Sequence, residues 1–461
     1  MPQPLVILNV VGLTPRHLGP DTPRIGELTK SAPARPMIGV LPAVTCTAQA
    51  TLLTGLPPQG HGVVGNGWFH RDTGEVRFWL QSNRLMAGET LYAAARRLAS
   101  ARGELFTCAK MFWWFNQGAA VDWSVTPKPF YGADGSKELA IQSTPADLAP
   151  QLEKKFGAFP FSGFWGPMAG LPSSDWISRA SAEVITGRKP TLTLVYLPHL
   201  DYDLQRFGPD APATRDRVRE ADACAGRVID AARAIGAAVM VVSEYGLMPV
   251  RRPVYINRAL RSAGYLSVRD GPFGETIDTF NSAAFAVVDH QLAHVVVTDP
   301  ERVGRVEDLV RALPGVAGTA VGADRGKWGL DHPRSGDIVA LSDRDAWFAY
   351  PYWLDEARAP DFARTVDIHR KPGYDPCELF FDPKLTLPTL RVARRIAAKK
   401  LGFRYLLDVV PLEAELIRGS HGVEPVDSAD GPVLIAPGAD GAGPFPMTGV
   451  KDLALRLMGL W

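Results

Sequence analysis

Leu5-Val6-Ile7-Leu8-Asn9-Val10-Val11, running directly into Gly12, is the stretch whose reading decides the fold. A short apolar, β-branched run broken only by Asn9 reads as a strand buried on both faces, the kind found at the middle of a parallel sheet. Similar runs recur at 105–109, 191–197, 237–242 and 433–436. Between them, 88–101, 173–187 and 214–235 carry helical periodicity; Val218, Ala221, Ala225, Val228, Ile229 and Ala232 form an apolar stripe in the last. Strands alternating with helices predict an α/β fold with a mostly parallel central sheet and helices on both faces.

One interior block breaks that alternation. Residues 282–298 hold two β-rich runs around a short turn, 301–313 read as a helix after Pro300, and 316–321 as a further strand. Main-sheet signals lie on both sides. The expectation is therefore a small α/β cap inserted at 252–345 into a core formed by 1–251 and 346–461. The 461 residues would otherwise allow two to four domains.

Composition excludes several classes. With 50 Lys+Arg against 49 Asp+Glu, the net charge of +1 leaves no overall electrostatic footprint for a nucleic acid polymer or an anionic membrane. No stretch approaches the ~20 apolar residues of a spanning helix. Cys46, Cys108, Cys224 and Cys377 are far apart, without CxxC spacing, which argues against a disulfide framework or a thiolate zinc site. No secretory signal pattern is visible, so the expected location is cytoplasmic.

Ligands of open α/β sheets bind in loops beyond the carboxyl ends of the strands. Four such loops carry polar residues. Thr45 stands where a helix would begin, a place where free amides favour an anion and where a threonine also serves as an ordinary cap. Asp201 follows 191–197, with His199, Asp203 and Gln205 beside it; Ser243-Glu244-Tyr245-Gly246 follows 237–242; Gly419-Ser420-His421-Gly422 precedes the last strand. Each has a plain structural explanation, but their shared placement points to a metal or phosphate site. No Walker A, GxGxxG or GxSxG motif is present.

The spacing Thr45, Thr51, Thr54-Gly55, followed by His61-Gly62-Val63-Val64-Gly65-Asn66, resembles the nucleophile loop of the nucleotide pyrophosphatase/phosphodiesterase branch of the alkaline phosphatase superfamily. The Gly419–Gly422 segment, with Pro425, Asp427 and Gly431-Pro432, is similar to that branch's C-terminal metal-histidine segment. The resemblance implies an alkaline-phosphatase-like fold and hydrolysis of a phosphodiester, pyrophosphate or phosphomonoester in a small molecule. Thr45 would be the nucleophile, Asn66 the donor to a phosphoryl oxygen, and Asp201 and His421 ligands of one metal.

The same comparison exposes departures. Val11 stands where the branch has an aspartate, Gln205 where it has a histidine, and Glu244-Tyr245 where it has Asp-His. Zinc sites need three or four good donors. The expectation is thus one divalent ion (Zn²⁺, Mn²⁺ or Mg²⁺) held by Asp201, His421, Glu244 and Gln205 rather than two, or none. The rival reading is a catalytically silent or repurposed relative that binds an anionic or aromatic small molecule in a biosynthetic pathway.

Trp113 and Trp114, in Met111–Asn116, are expected to line a substrate pocket, with Trp123, Phe130 and Tyr131 nearby; core packing is the plain alternative. Arg334, Arg370 and Lys371 are expected to meet a substrate anion, with ion pairing as the plain alternative. His290 and His294, four apart across a β-turn-β, would not share a helical face and are set aside as a metal pair.

Overall fold

The computed structural model describes residues 1–461 except 134–136, 388–390, 393, 396, 398–405 and 442. Its centre is a nine-stranded sheet built from β1 (Leu5–Val10), β2 (Ala34–Ile38), β3 (Cys108–Met111), β4 (Trp123–Pro127), β5 (Ile141–Thr144), β6 (Leu192–Leu197), β7 (Ala238–Val242), β12 (Val433–Ile435) and β13 (Phe445–Pro446). The order is β13-β2-β12-β7-β1-β6-β3-β4-β5. The five strands from β7 to β4 are mutually parallel, whereas β12 and β5 run antiparallel to their neighbours β7 and β4.

All six residues of β1 are buried. Its period-two alternation splits the core: Val6, Leu8 and Val10 pack on one side with α3 (Leu171–Arg188) and α5 (Thr214–Ala234). Leu5 and Ile7 pack on the other side with α1 (Thr45–Thr54) and α2 (Leu91–Ala101). Burying each such side chain stabilises the fold by ~1.5–3 kcal/mol, which anchors the centre of the sheet.

The expected strands and helices are present, with two informative differences. The run 105–109 forms a strand only from Cys108, because Leu105 is 80% exposed and pairing with β6 begins at Cys108. The segment after β6, read as a loop, is α4 (His199–Phe207). Its amphipathic face buries Leu200 and Leu204 and places Asp201 and Gln205 one turn apart.

A second, four-stranded antiparallel sheet has the order β8-β9-β11-β10, from β8 (Ala284–Asp289), β9 (Leu292–Val297), β10 (Val316–Val321) and β11 (Ile338–Ser342). Helix α6 (Val303–Arg311) packs against β10 and β11. The segments that flank it are hydrogen-bonded to each other, Arg252 opposite Ala346 and Val254 opposite Phe348, so the chain leaves and re-enters the core at one place. No helix among the described residues is long and apolar enough to cross a membrane.

Two glycines show how tightly the sheet's carboxyl edge is packed. Gly12 turns the chain out of β1 at φ +78°, and a Cβ there would meet Leu204 Cδ1 at 2.8 Å. A Cβ on Gly246 would lie 1.7 Å from the Asp430 carbonyl oxygen, which is backbone and cannot step aside. Gly246→Ala is therefore expected to lower stability by ~3 kcal/mol or more in urea unfolding. Gly187→Ala, in a helix with nothing within 4 Å, should be neutral or gain up to ~1 kcal/mol.

Candidate functional site

Helix α1 begins at Thr45 after Val44, whose extended backbone (φ −133°, ψ 158°) and carbonyl open the first turn. All ten of its residues are buried, so its N-terminus points into protein at the carboxyl edge of the sheet. Asn66 Oδ1 accepts from the Cys46 amide at 3.0 Å, pinning the loop 61–66 to that turn. His61 braces the same loop: its Nδ1 accepts from the Val63 amide (3.1 Å), leaving Nε2–H to donate to Thr51 Oγ1 (2.9 Å).

Around this turn the structure gathers residues from across the chain. The Thr45 hydroxyl lies 3.1 Å from the Tyr245 hydroxyl. The Tyr245 ring stacks on His421 at 3.6 Å, His421 on His290 at 3.6 Å, and His290 on Tyr374 at 3.7 Å. Two carboxylates lie beside these rings. Glu244 Oε1 accepts from Asn9 Nδ2 and Gln49 Nε2, both at 2.6 Å, and Gln49 Oε1 in turn accepts from the Trp114 amide at 2.8 Å. Asp201 Oδ2 accepts from Gln205 Nε2 at 2.7 Å, and Gln205 Oε1 accepts from the Tyr374 hydroxyl at 2.8 Å.

Burial dominates the electrostatics. It pushes the Asp201 carboxyl up to about 7 and that of Glu244 to about 8, although neighbouring amides and hydroxyls favour the ionised forms. Asp289 is pushed up to about 7 in the same way. Burial drives the imidazoles in the opposite sense, His421 down to about 3 and His290 well below its ordinary value, with His421 adding to the effect on His290. Near neutral pH the histidines are uncharged and the carboxyls hold protons for much of the time.

The donors that a metal would need are only partly free. His421 Nδ1 donates to the Ala43 carbonyl at 2.7 Å, leaving Nε2 as a lone pair 3.8 Å from Asp201 Oδ1. Asp201 Oδ1 and Glu244 Oε2 have no hydrogen-bond partner among the described residues. Gln205 spends both amide atoms on Asp201 and Tyr374, whereas Glu244 uses Oε1 for two amides and keeps Oε2 open. Among the described residues no group of three or more His, Cys, Asp or Glu is placed to hold an ion. Of the four expected ligands, Asp201, Glu244 and Gln205 are thus held by hydrogen bonds to amides and a hydroxyl, and His421 by the Ala43 carbonyl.

The expected substrate contacts are also placed differently. Lys371 is buried and paired with Asp375 and Glu378, each at 2.7 Å; burial opposes its charge, but the two carboxylates outweigh it and raise its pKa to about 12. Its charge is satisfied inside the protein rather than offered to a ligand. Arg334 Nη1 donates to the carbonyls of Gly62 (2.7 Å) and Leu85 (2.5 Å), and its guanidinium lies over the Trp68 ring. Arg370 pairs with Asp367 at 3.2 Å. Trp113 is 1% exposed within the core, while the Trp114 ring packs on Trp79 at 5.2 Å. His199 is buried away from the Thr45 turn's bonding network, 4.0 Å from Glu220, and Asp203 pairs with Arg206 at 2.5 Å.

Asn9, Gln49, Asp289, His290 and Tyr374 were not legible as site residues. Asn9 carried the one visible signal, a lone amide inside an otherwise apolar strand. Asp289 ends β8 and His290 opens the two-residue turn into β9, where polar residues are unremarkable by sequence alone.

These shifts make stability pH-dependent. A buried histidine with a depressed pKa adds stability as pH rises to about 6.5, where the unfolded form loses its proton; a buried carboxyl with a raised pKa loses stability from about pH 4 up to its folded value. His17 and His294 (about 4) and His61, His199 and His421 (about 3) contribute the rising limb. Asp201, Asp289 and Glu244 contribute the falling one, ending at about 7 to 8. The thermal midpoint should peak near pH ~6.5 and fall toward ~8. Glu244→Gln keeps the oxygen that accepts from Asn9 and Gln49, and should remove the last part of that fall.

Comparison with known proteins now bears on the arrangement. No curated protein sequence matches the chain. Murine ectonucleotide pyrophosphatase/phosphodiesterase 5, an inactive threonine-to-alanine variant in complex with AMP, superposes with a TM-score of 0.59 at 14% identity, covering 100% of this chain and 96% of that one. Phosphonoacetate hydrolase from Sinorhizobium meliloti 1021, in complex with phosphonoformate, superposes at 0.60 and 15% identity, covering 99% and 96%. Human ectonucleotide pyrophosphatase/phosphodiesterase 5 gives 0.59 and 14%, covering 99% and 95%. These likenesses establish an alkaline-phosphatase-like fold. The family model for type I phosphodiesterase / nucleotide pyrophosphatase matches residues 5–375, and the chain belongs to that family.

Proposed function

We propose that the chain binds a small-molecule phosphate ester or anhydride at the N-terminal turn of α1, as a repurposed member of its family that works without a two-cation centre. One observation carries this reading: the Tyr245 hydroxyl meets Thr45, and its ring stacks on His421. Thus a neutral side chain occupies the position that the family resemblance gives to a metal-binding histidine. The helix start still favours an anion, and Thr45 and Asn66 are retained there. AMP in the murine relative and phosphonoformate in the bacterial one support a small phosphorus-containing ligand. The segment 252–345 is assigned as a cap over this site, and the location as cytoplasmic, in keeping with four buried free thiols.

The second reading is hydrolysis. It is favoured by the facing lone pairs of Asp201 Oδ1 and His421 Nε2, 3.8 Å apart. In that reading the Thr45 hydroxyl gives its proton to the neighbouring Glu244 carboxylate and forms an O–P bond as the P–O bond to the leaving group breaks; water then cleaves the phospho-threonine, releasing the phosphate and restoring the hydroxyl.

Calorimetric titration of AMP, metal analysis of the purified protein, and turnover of p-nitrophenyl phosphate and bis-p-nitrophenyl phosphate with a metal panel separate the two. Expected are AMP binding unaffected by EDTA, less than one equivalent of transition metal, and equal background turnover for wild type and Thr45→Ala. Stoichiometric metal together with turnover lost in Thr45→Ala would establish the second reading instead.

A further inference from the structure

We propose that Asp289, at the tip of the β8–β9 hairpin, is the positioning residue for Asn66, so that the inserted segment rather than the nucleophile loop sets the donor to the bound phosphoryl oxygen. The backbone amide of Asn66 donates to Asp289 Oδ2 at 2.7 Å, and Asn66 Nδ2 donates to Asp289 Oδ1 at 3.1 Å. One carboxylate thus takes both donors of one residue. The other end of the amide is fixed independently, since Asn66 Oδ1 accepts from the Cys46 amide in the first turn of α1.

This arrangement decides which way the amide faces. Were Asn66 flipped, its NH₂ would oppose the Cys46 N–H in a buried place, and its oxygen would oppose an oxygen of Asp289 whenever that carboxyl is ionised. In the observed orientation, one Nδ2 hydrogen is spent on Asp289 and the second remains available. That second hydrogen is the one that can reach a ligand oxygen beside Thr45.

Asp289 is itself held firmly. It pairs with Leu292 across a turn made by His290 and Gln291, with His290 at φ +60°. The turn is tied on several sides: the Phe348 amide donates to the His290 carbonyl at 2.8 Å, and the Gln291 amide to the His421 carbonyl at 3.0 Å. Gln291 Nε2 also donates to the Arg344 and Ala346 carbonyls, both at 3.0 Å. Gly65 permits the close approach, because a Cβ there would come within 3.1 Å of Asp289 Oδ2. A second tie, His294 Nε2 to the Val64 carbonyl at 2.9 Å, holds the loop without touching Asn66.

The ligand part of this inference rests on the phosphate-binding reading above, so two independent readouts are needed. The first is amide hydrogen exchange by NMR, which requires no ligand: exchange at the Asn66 backbone amide should accelerate in Asp289→Ala and in the same-sized Asp289→Asn. The second is AMP titration in a double-mutant cycle. Asp289→Ala and Asn66→Ala should each weaken AMP by about tenfold, and the double variant no further than either. Should Asp289→Ala not fold, Asp289→Asn takes its place in the cycle. Unchanged Asn66 exchange, or losses that multiply to about a hundredfold, would overturn the proposal. If wild type binds no AMP, the phosphate-binding reading fails, and the exchange experiment alone decides whether Asp289 positions Asn66.

Discussion

The constraint on which the rest of the site depends is the burial of the Glu244 carboxyl at the carboxyl edge of the sheet. An isolated carboxylate there would cost several kcal/mol, so it must be neutralised, paired or given strong donors. Asn9 from β1 and Gln49 from α1 supply two short hydrogen bonds to one oxygen. That demand explains why a polar residue interrupts an otherwise apolar strand. It also explains why Gln49 lies inside a helix with no exposed residue, its other amide atom bound to the Trp114 backbone.

Asp201 meets the same constraint by a parallel route. Gln205 donates to it from one helical turn further along and is oriented by the Tyr374 hydroxyl. Tyr374 closes the stack of four rings that runs through His290 and His421 to Tyr245. Two buried carboxyls, two uncharged imidazoles, two tyrosines and three amides form a network in which one oxygen of each carboxyl, Asp201 Oδ1 and Glu244 Oε2, has no hydrogen-bond partner among the described residues. Within a family whose resemblance implies metal-activated hydrolysis, the proposed reading is that neutral hydrogen bonding replaces positive charge and that the site holds a ligand rather than activating a nucleophile.

The sheet was legible because its strands are buried on both faces, and so appear as unbroken apolar runs flanked by helical periodicity. The loop residues Thr45, Asn66, Asp201, Glu244 and His421 were legible because they sit at strand ends and match a family spacing. The partners that settle their chemistry were not. Asn9 and Gln49 look like isolated polar residues, 235 and 195 positions from Glu244 in the sequence although each is 2.6 Å from it in space, and nothing local marks their convergence. Asp289 and His290 belong to a hairpin whose polarity suits any turn; setting His290 aside because it shares no helical face with His294 could not anticipate a tertiary stack on His421. The burial of Lys371 was not legible for a related reason: its partners Asp375 and Glu378 are ordinary polar residues by sequence, and only the fold draws the three inside together.

The central claim is that protons and amides, not cations, neutralise the buried carboxyls. Infrared difference spectroscopy of the carboxylic acid C=O stretch across the neutral pH range tests it most directly, comparing wild type with Glu244→Gln. A protonated-carboxyl band in wild type near pH ~6.5, diminished in Glu244→Gln and unmoved by EDTA or added Zn²⁺, is the predicted result. Carboxyls fully ionised at that pH, or a band that disappears when Zn²⁺ is added, would contradict it.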